Sequence, residues 1–274
     1  MSRAGASSPT GDPALPPIIQ YWDSDPPPEP IADLLLTFRE HNPAFTHIVF
    51  SESAAETFIA EHFGPREVEA FGACLLPAMQ ADYLRYCAVY ALGGIYADAD
   101  YQCLRALEPL VGGCDGGDIF FNHTRRILQQ VLNGFFVFPS PRHPFLGLAL
   151  EVASANIDAR IAERVWPVGH RVRQAVGLTT GPGIFAFMYF LRELGSFDAF
   201  IKMASGTNVE PFARNVCEVV DVYDRIPEVF EGVRISPYEA MMEWVGHPHQ
   251  PLAYKRTEAF WMNATMPIFR ELRR

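Results

Sequence analysis

Two Asp-x-Asp triplets are the residues of this sequence best suited to chemistry, and they lie in different surroundings. The triplet at residues 23–25 falls in a proline-rich turn, where aspartate is a common turn former, and we interpret it as structural. Asp98 and Asp100 flank Ala99 after a short apolar run that follows a helix and a double glycine. Oxygen-only ligands suit a hard divalent cation such as Mg²⁺ or Mn²⁺, which completes its shell with water and substrate phosphates. The second triplet is therefore a candidate metal and diphosphate site.

The apolar run before the second triplet predicts how its side chains are oriented. In an extended chain alternate residues share a face, so we expect Tyr96, Asp98 and Asp100 on one side, opposite Ile95 and Ala97. Two carboxylates on one side of a strand end repel each other unless a cation lies between them or one is protonated. Ligands of open α/β sheets bind at the carboxyl ends of strands. We therefore expect both carboxylates to emerge together at a sheet edge beside a cleft.

The helix before this strand adds an acidic and a basic residue at a useful spacing. Asp82 and Arg85 are at i and i+3, so they share a face near the beginning of a helix predicted over residues 76–91. Such a pair could contribute to the same site as the triplet. The alternative is an exposed ion pair within the helix, which contributes little to stability. The spacing alone leaves both interpretations open.

The composition of the chain excludes several classes of protein. The chain has 274 residues, is 49% hydrophobic and 13% aromatic, and carries a formal net charge of -10. The apolar fraction excludes global disorder and predicts a sizeable packed core. The acidic balance argues against general binding to nucleic acid backbones, because proteins that do so collect Lys and Arg. We therefore expect that binding of any anionic ligand requires a local positive charge, such as a metal ion.

Cysteine usage and the amino terminus predict the compartment. The five cysteines form no C-x-x-C pair, and we expect reduced thiols in small apolar roles. Residues 1–16 are rich in Ser, Gly, Ala and Pro without an apolar segment, so we expect a flexible leader that is neither a signal peptide nor an anchor. No stretch matches the roughly 18 or more apolar residues of a membrane-spanning helix. These features predict a soluble, cytoplasmic protein with at most peripheral membrane contact.

The rest of the chain alternates between predicted strands and predicted helices. Apolar runs predict strands at 17–22, 46–51, 95–97, 118–121, 134–138, 217–223 and 229–235. Helical spacing of apolar residues predicts helices at 31–41, 53–63, 76–91, 144–163 and 184–194. Ser53 and Glu56 form a predicted capping box. The alternation predicts an α/β fold with a mostly parallel sheet, and we predict a single domain over residues 17–274.

Residues 81–86 and 92–100 resemble the signature of the DXD-containing sugar glycosyltransferases. They read Ala-Asp-Tyr-Leu-Arg-Tyr and Leu-Gly-Gly-Ile-Tyr-Ala-Asp-Ala-Asp. That family includes fungal initiating mannosyltransferases and bacterial capsule or polysaccharide transferases, and it is similar, more distantly, to the glucosyltransferase domains of large clostridial toxins. Weaker likenesses extend along most of the chain, at residues 17–22, 41–43, 133–134, 141–144 and 180–182.

The resemblance implies a fold, a reaction and a set of partners. The implied architecture is the GT-A glycosyltransferase fold, a Rossmann-like mixed sheet flanked by helices. The implied reaction moves a sugar from a nucleotide diphosphate donor, with retention of anomeric configuration, and a UDP-linked sugar is the first guess for the donor. A glycan, a lipid-linked intermediate or a small molecule is the expected acceptor, and Mn²⁺ or Mg²⁺ is the expected cofactor.

The resemblance also implies roles for individual residues at matching motif positions. Asp98 contacts hydroxyls of the donor and the metal, and Asp100 coordinates the metal. Asp82 and Arg85 hold sugar hydroxyls and phosphate. Trp22, at the end of the first strand, stacks on the nucleotide base, although a partly buried core aromatic is an equal interpretation of this residue. The residues predicted to bind the donor are Trp22, Asp82, Arg85, Tyr96 and Asp98.

One departure from the family and two weaker signals accompany this resemblance. Relatives often carry a His shortly before a late Ser-Trp pair, whereas in this chain residue 255 is Lys and Trp261 follows Phe260, which leaves the carboxyl-terminal wall of the site undefined. Residues 181–186 match a dinucleotide G-x-G-x-x-A turn superficially, but the proline between the glycines favours a backbone turn near the substrate. His123 and His143 are further candidates for lining the metal site.

Two other functions fit parts of the pattern. The altered carboxyl-terminal motif fits a catalytically weak nucleotide-sugar or glycan-binding protein on the same fold. A phosphohydrolase would use Asp98 as nucleophile and Asp100 as acid, as haloacid-dehalogenase-like enzymes do. Those enzymes place their D-x-D after the first strand, and residue 98 comes late for that arrangement. The sequence therefore favours the glycosyltransferase, with the binding protein as the alternative.

Overall fold

A computed structural model of the protein describes residues 15–123, 130–163, 170–207, 209–246, 252–256 and 269. The predicted leader, residues 1–16, lies outside the described residues except for its last two, and so does Trp261. Among the helices in the described ranges, none is both long enough and apolar enough to cross a membrane.

The strands of the described residues form one main sheet and one short pair. They are β1 (Ile18–Tyr21), β2 (His47–Phe50), β3 (Gly94–Ala97), β4 (Gln102–Cys103), β5 (Gly117–Phe121), β6 (Val131–Phe138), β7 (Val233–Pro237) and β8 (Val245–Gly246). The main sheet has the order β2-β1-β3-β6-β5-β7, and β4 pairs with β8. β6 is antiparallel to β3 and β5, while β1 is parallel to β2 and β3, and β5 to β7. Five strands therefore end at one side of the sheet, which we call the carboxyl edge, and β6 begins there.

Helices cover both faces of this sheet. They are α1 (Glu29–His41), α2 (Glu52–His62), α3 (Pro65–Ala73), α4 (Pro77–Leu92), α5 (Glu108–Gly112), α6 (Pro144–Glu163), α7 (His170–Thr179), α8 (Gly183–Leu194), α9 (Phe197–Ala204), α10 (Val209–Val219), α11 (Val222–Val229) and α12 (Tyr238–Trp244). Tyr96 and Phe136 pack with residues of α4, α6 and α8, whereas Ile95 and Phe135 pack on the opposite face with residues of α1, α5 and α12. The predicted α/β fold class, a mixed sheet flanked by helices, is confirmed.

The segment that carries the candidate site has the predicted helix and strand. The helix predicted over 76–91 is α4, and the strand predicted over 95–97 is β3. Gly93 ends α4 with a φ of 68°, a left-handed conformation that glycine adopts without the steric cost of a Cβ. The chain then reverses directly into β3. The double glycine noted in the sequence thus forms the turn that places β3 beside the helix.

Two predicted strands near the carboxyl terminus are wrong or misplaced. Residues 217–223, predicted as a strand, contain the end of α10 and the beginning of α11. Val222, Ile226 and Val229 are buried at i, i+4 and i+7, so the apolar positions follow the helical period rather than the alternation of a strand. The strand predicted over 229–235 begins only at β7, because Val229 still belongs to α11.

The predicted start of α2 is also displaced, and seven of the described helices, α3 among them, were not predicted. The cap of α2 is Ser51, whose side-chain oxygen accepts from the backbone N–H of Ala54 at 3.3 Å, and not Ser53. Serine is a favourable N-cap residue at either position, so the residue that caps α2 depends on where β2 ends. Helix α3 follows after a short connection and begins at Pro65.

Candidate functional site

Helix α4 and strand β3 bring Arg85 and Asp98 together at the carboxyl edge. Nη2 of Arg85 donates to Oδ1 of Asp98 at 3.0 Å and lies 3.1 Å from Oδ1 of Asp82, and Nη1 donates to the backbone oxygen of Asn133 at 2.7 Å. The side chains of Arg85 and Asp82 are only 5% and 8% exposed. The two residues therefore form a buried cluster with the predicted metal ligand, and the alternative of an exposed helical ion pair is wrong.

Tyr96 completes the environment of this guanidinium. The Arg85 guanidinium lies 4.5 Å from the centre of the Tyr96 ring, and the Tyr96 hydroxyl donates to Oδ1 of Asp98 at 3.2 Å. Tyr96 and Asp98 thus share a face, as the strand alternation predicts. Burial alone would lower the pKa of Arg85, but the negative charge of Asp98, with Tyr96 and Asp82, outweighs burial and raises it. The guanidinium is therefore a permanent, buried positive charge in contact with Asp98.

Asp82 is held by donors from two distant parts of the chain. Its Oδ1 accepts from Nδ2 of Asn133 at 2.9 Å, and its Oδ2 accepts from the Thr180 hydroxyl at 3.2 Å. Burial raises the pKa of Asp82 to about 6, against the opposing effects of Arg85 and these two hydrogen bonds. The charge of Asp98 also raises the pKa of Asp82, whereas the donors and the cation named here favour its ionised form.

Asp98 follows the strand, whereas Asp100 does not. β3 ends at Ala97, and the backbone N–H of Tyr101 donates to the oxygen of Asp98 at 3.1 Å, so Asp100 lies in a tight turn. The predicted strand alternation therefore applies as far as Asp98 and is wrong for Asp100, because the chain reverses before a further extended residue. Neither carboxylate is sealed in the interior, since the side chains of Asp98 and Asp100 are 33% and 16% exposed.

Two residues of the carboxyl-terminal segment hold Asp100. Its Oδ2 accepts from the Tyr254 hydroxyl at 3.0 Å and lies 2.6 Å from Nζ of Lys255. Burial raises the pKa of Tyr254, and the charges of Asp100 and then of Asp98 raise it further. The charges of both carboxylates of the triplet therefore act on the Tyr254 hydroxyl.

Trp22 lies at the same edge of the sheet. It follows β1, a parallel neighbour of β3, and its ring meets the ring of Tyr254 edge to face with centroids 5.3 Å apart. The Trp22 side chain is partly buried against a small apolar cluster that includes Leu35 and Ala99. This position suits stacking at the rim of the site, and the predicted contact with a nucleotide base stays a prediction.

Gln20 and Gly134 position Asp98 and were not predicted as site residues. Nε2 of Gln20, which is fully buried in β1, donates to the backbone oxygen of Asp98 at 3.3 Å. A Cβ on Gly134 would overlap Oδ2 of Asp98 and would lie 3.0 Å from the Tyr101 hydroxyl. Gln20 had a detectable signal, because it is a polar residue inside an apolar run. No signal in the sequence pairs Gly134 with Asp98.

The two carboxylates fit a divalent cation that is bound together with a substrate. Within the described residues, no group of three or more His, Cys, Asp or Glu side chains could hold a metal ion. Mg²⁺ is usually bound through one or two carboxylates plus substrate phosphates and water, so a pair is sufficient. Asp98 and Asp100 supply such a pair, although Lys255 already contacts Oδ2 of Asp100. Asp98 and Asp100 are therefore the residues that could hold a cation, and their role as metal ligands stays a prediction.

The remaining candidates from the sequence lie in different places. His123 follows β5 at the carboxyl edge, where it lines an open groove with Phe121 and Tyr189. His143 lies after β6, which runs in the opposite direction, and the pairing of Gly94 with Phe138 puts it at the other end of the sheet. His143 therefore does not line the site of Asp98. The 181–186 turn precedes and begins α8, and it lies against Asp82.

Comparisons with known proteins give the following matches. Residues 28–114 match the family described as "Glycosyltransferase sugar-binding region containing DXD motif". The chain is 24% identical over 273 residues to the initiation-specific alpha-1,6-mannosyltransferase of Schizosaccharomyces pombe, covering 88% of this chain and 61% of that protein. It is 25% identical over 194 residues to inositol phosphoceramide mannosyltransferase 2 of the same yeast, covering 70% of this chain and 51% of that protein.

A solved structure, the PaToxG glycosyltransferase, superposes with a TM-score of 0.45 and 14% identity, covering 85% of this chain and 88% of that one. The chain spans about half to three fifths of the length of the two yeast relatives. The family match contains α4, β3 and the turn after it, including Asp82, Arg85, Asp98 and Asp100. The resemblance inferred from the motifs is therefore confirmed by a family match that covers residues 28–114.

Proposed function

We propose that the protein is a metal-dependent glycosyltransferase that moves a sugar from a nucleotide diphosphate donor to a glycan or lipid acceptor. The observation that carries the proposal is the buried cluster of Arg85, Asp82 and Asp98, which lies within the segment that matches the sugar-binding family. Burying the charges of Arg85 and Asp82 has a large desolvation cost, which a merely structural helix face does not need. The cluster is open to solvent only at Asp98, where a donor would meet it.

The proposed donor is a nucleotide-activated hexose. The names of the relatives indicate which hexose to test first. The two yeast relatives are named as mannosyltransferases, so we propose mannose as the first sugar to test. The UDP-linked donor expected from the motif resemblance is tested beside it. One relative is named for inositol phosphoceramide, which supports including a glycolipid among the acceptors.

The proposed reaction breaks the bond between sugar C1 and the diphosphate oxygen, and the electron pair leaves with the diphosphate. The acceptor hydroxyl oxygen forms the new bond to C1. With retention of configuration, the acceptor enters on the face that the diphosphate leaves, so a diphosphate oxygen is near enough to take the hydroxyl proton. Positive charge develops on the sugar and negative charge on the leaving group, and both need a preorganised partner.

The residues of the site supply these partners. Asp98 accepts hydrogen bonds from sugar hydroxyls and orients C1, and Arg85 fixes Asp98 and the buried Asp82 in place with its fork of donors. A divalent cation held by Asp98 and Asp100 would neutralise the leaving diphosphate as a Lewis acid. Trp22 stacks on the base and holds the donor in register at the end of β1.

The test is turnover of a donor panel. The protein would be incubated with Mn²⁺ and UDP-, GDP- and TDP-linked hexoses, with and without sugar and glycolipid acceptors, and the released nucleoside diphosphate would be measured. We expect slow hydrolysis of one donor class, faster release with an acceptor, and loss of turnover with a chelator. The anomeric configuration of the product, read by NMR, tests retention.

Matched variants separate catalysis from binding. Asp98→Asn and Asp100→Asn should each lower turnover by about a hundredfold or more, because each removes a negative ligand of the cation. Asp158→Asn, which changes an exposed surface aspartate, should leave turnover unchanged. Metal-dependent binding of a nucleotide sugar without any turnover would instead support the alternative, a binding protein on the same fold.

A further inference from the structure

Lys255 is in a position that the composition of the chain makes unusual. The sequence has 20 arginines but only two lysines, Lys202 and Lys255. Lys202 is exposed on α9, whereas the Lys255 side chain is 23% exposed and its ammonium lies 2.6 Å from Oδ2 of Asp100. Lysine is a compact, flexible point charge, and it binds phosphate without the fixed fork geometry of arginine. One of the two lysines thus contacts the predicted metal ligand.

The segment that carries Lys255 is packed against the site. Residues 253–256 form a short 3₁₀ turn, in which the N–H of Lys255 donates to the oxygen of Leu252 at 3.0 Å. Leu252 and Tyr254 pack on the same apolar cluster as Trp22. The Tyr254 hydroxyl and the Lys255 ammonium both contact Oδ2 of Asp100. The turn therefore presents two donors to a single carboxylate oxygen.

These contacts decide the charge balance of the site before any ligand binds. Arg85 pairs with both Asp82 and Asp98, and Lys255 pairs with Asp100. The repulsion expected between two neighbouring carboxylates is thereby relieved without a cation. A divalent cation that coordinates Oδ2 of Asp100 competes with the Lys255 ammonium for that oxygen, because the two positive charges repel each other at such short distances.

We propose that the Lys255 ammonium leaves Asp100 and pairs with the diphosphate when the donor binds, so that the donor and the divalent cation bind cooperatively. This inference rests on the proposed function and assigns a positioning role to a residue outside the family match. In the free protein the ammonium occupies Asp100 and weakens binding of the cation. When a diphosphate arrives, the flexible lysine side chain pairs with a phosphate oxygen and releases Asp100 to the cation. Each ligand then strengthens binding of the other by the same factor.

The first test measures Mn²⁺ binding directly, by electron paramagnetic resonance of the free ion and by calorimetry, with and without UDP or GDP. We expect the nucleotide to tighten Mn²⁺ binding to the wild-type protein by about tenfold or more, which is within the usual range of coupling between sites. Lys255→Met should bind Mn²⁺ several-fold more tightly without nucleotide and should lose most of the coupling. Lys255→Arg, which keeps the charge, should bind Mn²⁺ alone as weakly as the wild type.

The matched control is Lys202→Met, which removes the same charge from an exposed helix and should leave both affinities unchanged. Circular dichroism would confirm that each variant is folded. If Lys255→Met and the wild type bind Mn²⁺ equally and show equal coupling, the exchange is wrong, while donor turnover still decides the proposed function. If neither protein binds Mn²⁺ with or without nucleotide, the exchange is also wrong. Turnover without metal would then support a glycosyltransferase that does not depend on a metal ion.

A second test follows the lysine itself. Lysine-selective acetylation followed by mass spectrometry reports Lys255, with Lys202 as an internal reference in the same sample. We expect saturating Mn²⁺ alone to increase labelling of Lys255 because the cation displaces it from Asp100, and added UDP or GDP to decrease labelling again. Labelling of Lys202 should not change. Labelling of Lys255 that is insensitive to Mn²⁺ would overturn the proposal without any measurement of activity.

Discussion

Asn133 binds both members of the i, i+3 pair on α4, because its Nδ2 donates to Oδ1 of Asp82 at 2.9 Å and its backbone oxygen accepts from Arg85 at 2.7 Å. Asn133 lies near the start of β6, which alone among the described strands of the main sheet begins at the carboxyl edge. The antiparallel direction of β6 therefore has a chemical consequence. The first residues of β6 lie beside α4 at the carboxyl edge, and they provide both a donor and an acceptor to that helix. Gly134, the next residue, leaves the space that the Asp98 carboxylate occupies.

Replacing Arg85 should damage stability and transfer to different extents in different variants. Arg85→Met leaves the buried Asp82 and the partly exposed Asp98 without their cation, and breaking a buried pair such as Asp82 and Arg85 costs about 3–5 kcal/mol. Arg85→Lys keeps the charge but loses the fork that reaches both carboxylates and Asn133, so we expect a smaller loss of stability, with transfer lowered about a hundredfold. Denaturant unfolding and donor turnover measure the two effects.

The control for Arg85 is the surface pair of Arg66 and Asp158, which are half exposed. Arg66→Met should cost less than about 1 kcal/mol of unfolding free energy and leave turnover unchanged. An Arg85→Met protein as stable as Arg66→Met would contradict the buried cluster as the organising feature of the site.

The elements around the site could be predicted because their signals are local. The apolar periods of α4 and β3 and the double glycine between them lie within one short segment, and each reports a backbone conformation that depends on near neighbours. The same reasoning failed at residues 217–223, where several closely spaced apolar residues fit a strand as well as two short helices. Asp221, between α10 and α11, is the break that periodicity alone does not show.

The contacts of the site could not be predicted because they join residues that are far apart in sequence. Asn133 and Thr180 reach Asp82 from 51 and 98 residues away, and Tyr254 reaches Asp100 from 154 residues away. No period or spacing in a single sequence records such pairs. The family resemblance supplied Asp82 and Arg85 as site residues, and only the fold shows that they contact Asp98.

A methyl group on Gly134 should disable the site while the fold remains. The Cβ of Gly134→Ala would overlap Oδ2 of Asp98, so the carboxylate must turn away from its present position. We expect transfer to fall about a hundredfold and Mn²⁺ affinity to fall with it. Gly72→Ala in α3 is the matched control, because a Cβ there meets nothing within 4 Å and should be neutral or slightly stabilising. Full activity in Gly134→Ala would show that the position of Asp98 is not needed.

Shortening Trp22 should weaken binding of the nucleotide rather than the chemical step. Stacking of a base on an aromatic ring contributes about 1–3 kcal/mol, so Trp22→Ala should raise the KM for the donor by roughly tenfold with a smaller change in kcat. Trp22→Phe keeps a ring and should recover most of the loss. Equal donor affinities for wild type, Trp22→Ala and Trp22→Phe would assign Trp22 to the apolar cluster at the end of β1 alone.

His47 should make the fold sensitive to mild acid through its contacts with the strand that supports Asp98. Nε2 of His47 donates to Oε1 of Gln20 at 2.6 Å, and Nδ1 accepts from Arg39 at 3.0 Å, so the geometry requires the neutral ring. Burial, and then the charge of Arg39, lowers the pKa of His47 to about 4 from an ordinary value of 6.5.

Because the folded pKa of His47 lies below the unfolded value, the stabilisation by the neutral ring is complete above about pH 6.5 and is lost as the pH falls towards 4. The loss amounts to at most about 3 kcal/mol. His47→Gln should remove this component, so the difference in unfolding free energy between wild type and variant should shrink as the pH falls through this window. Parallel stability curves for the two proteins between pH 6.5 and pH 4 would show that Arg39 and Gln20 tolerate the charged ring.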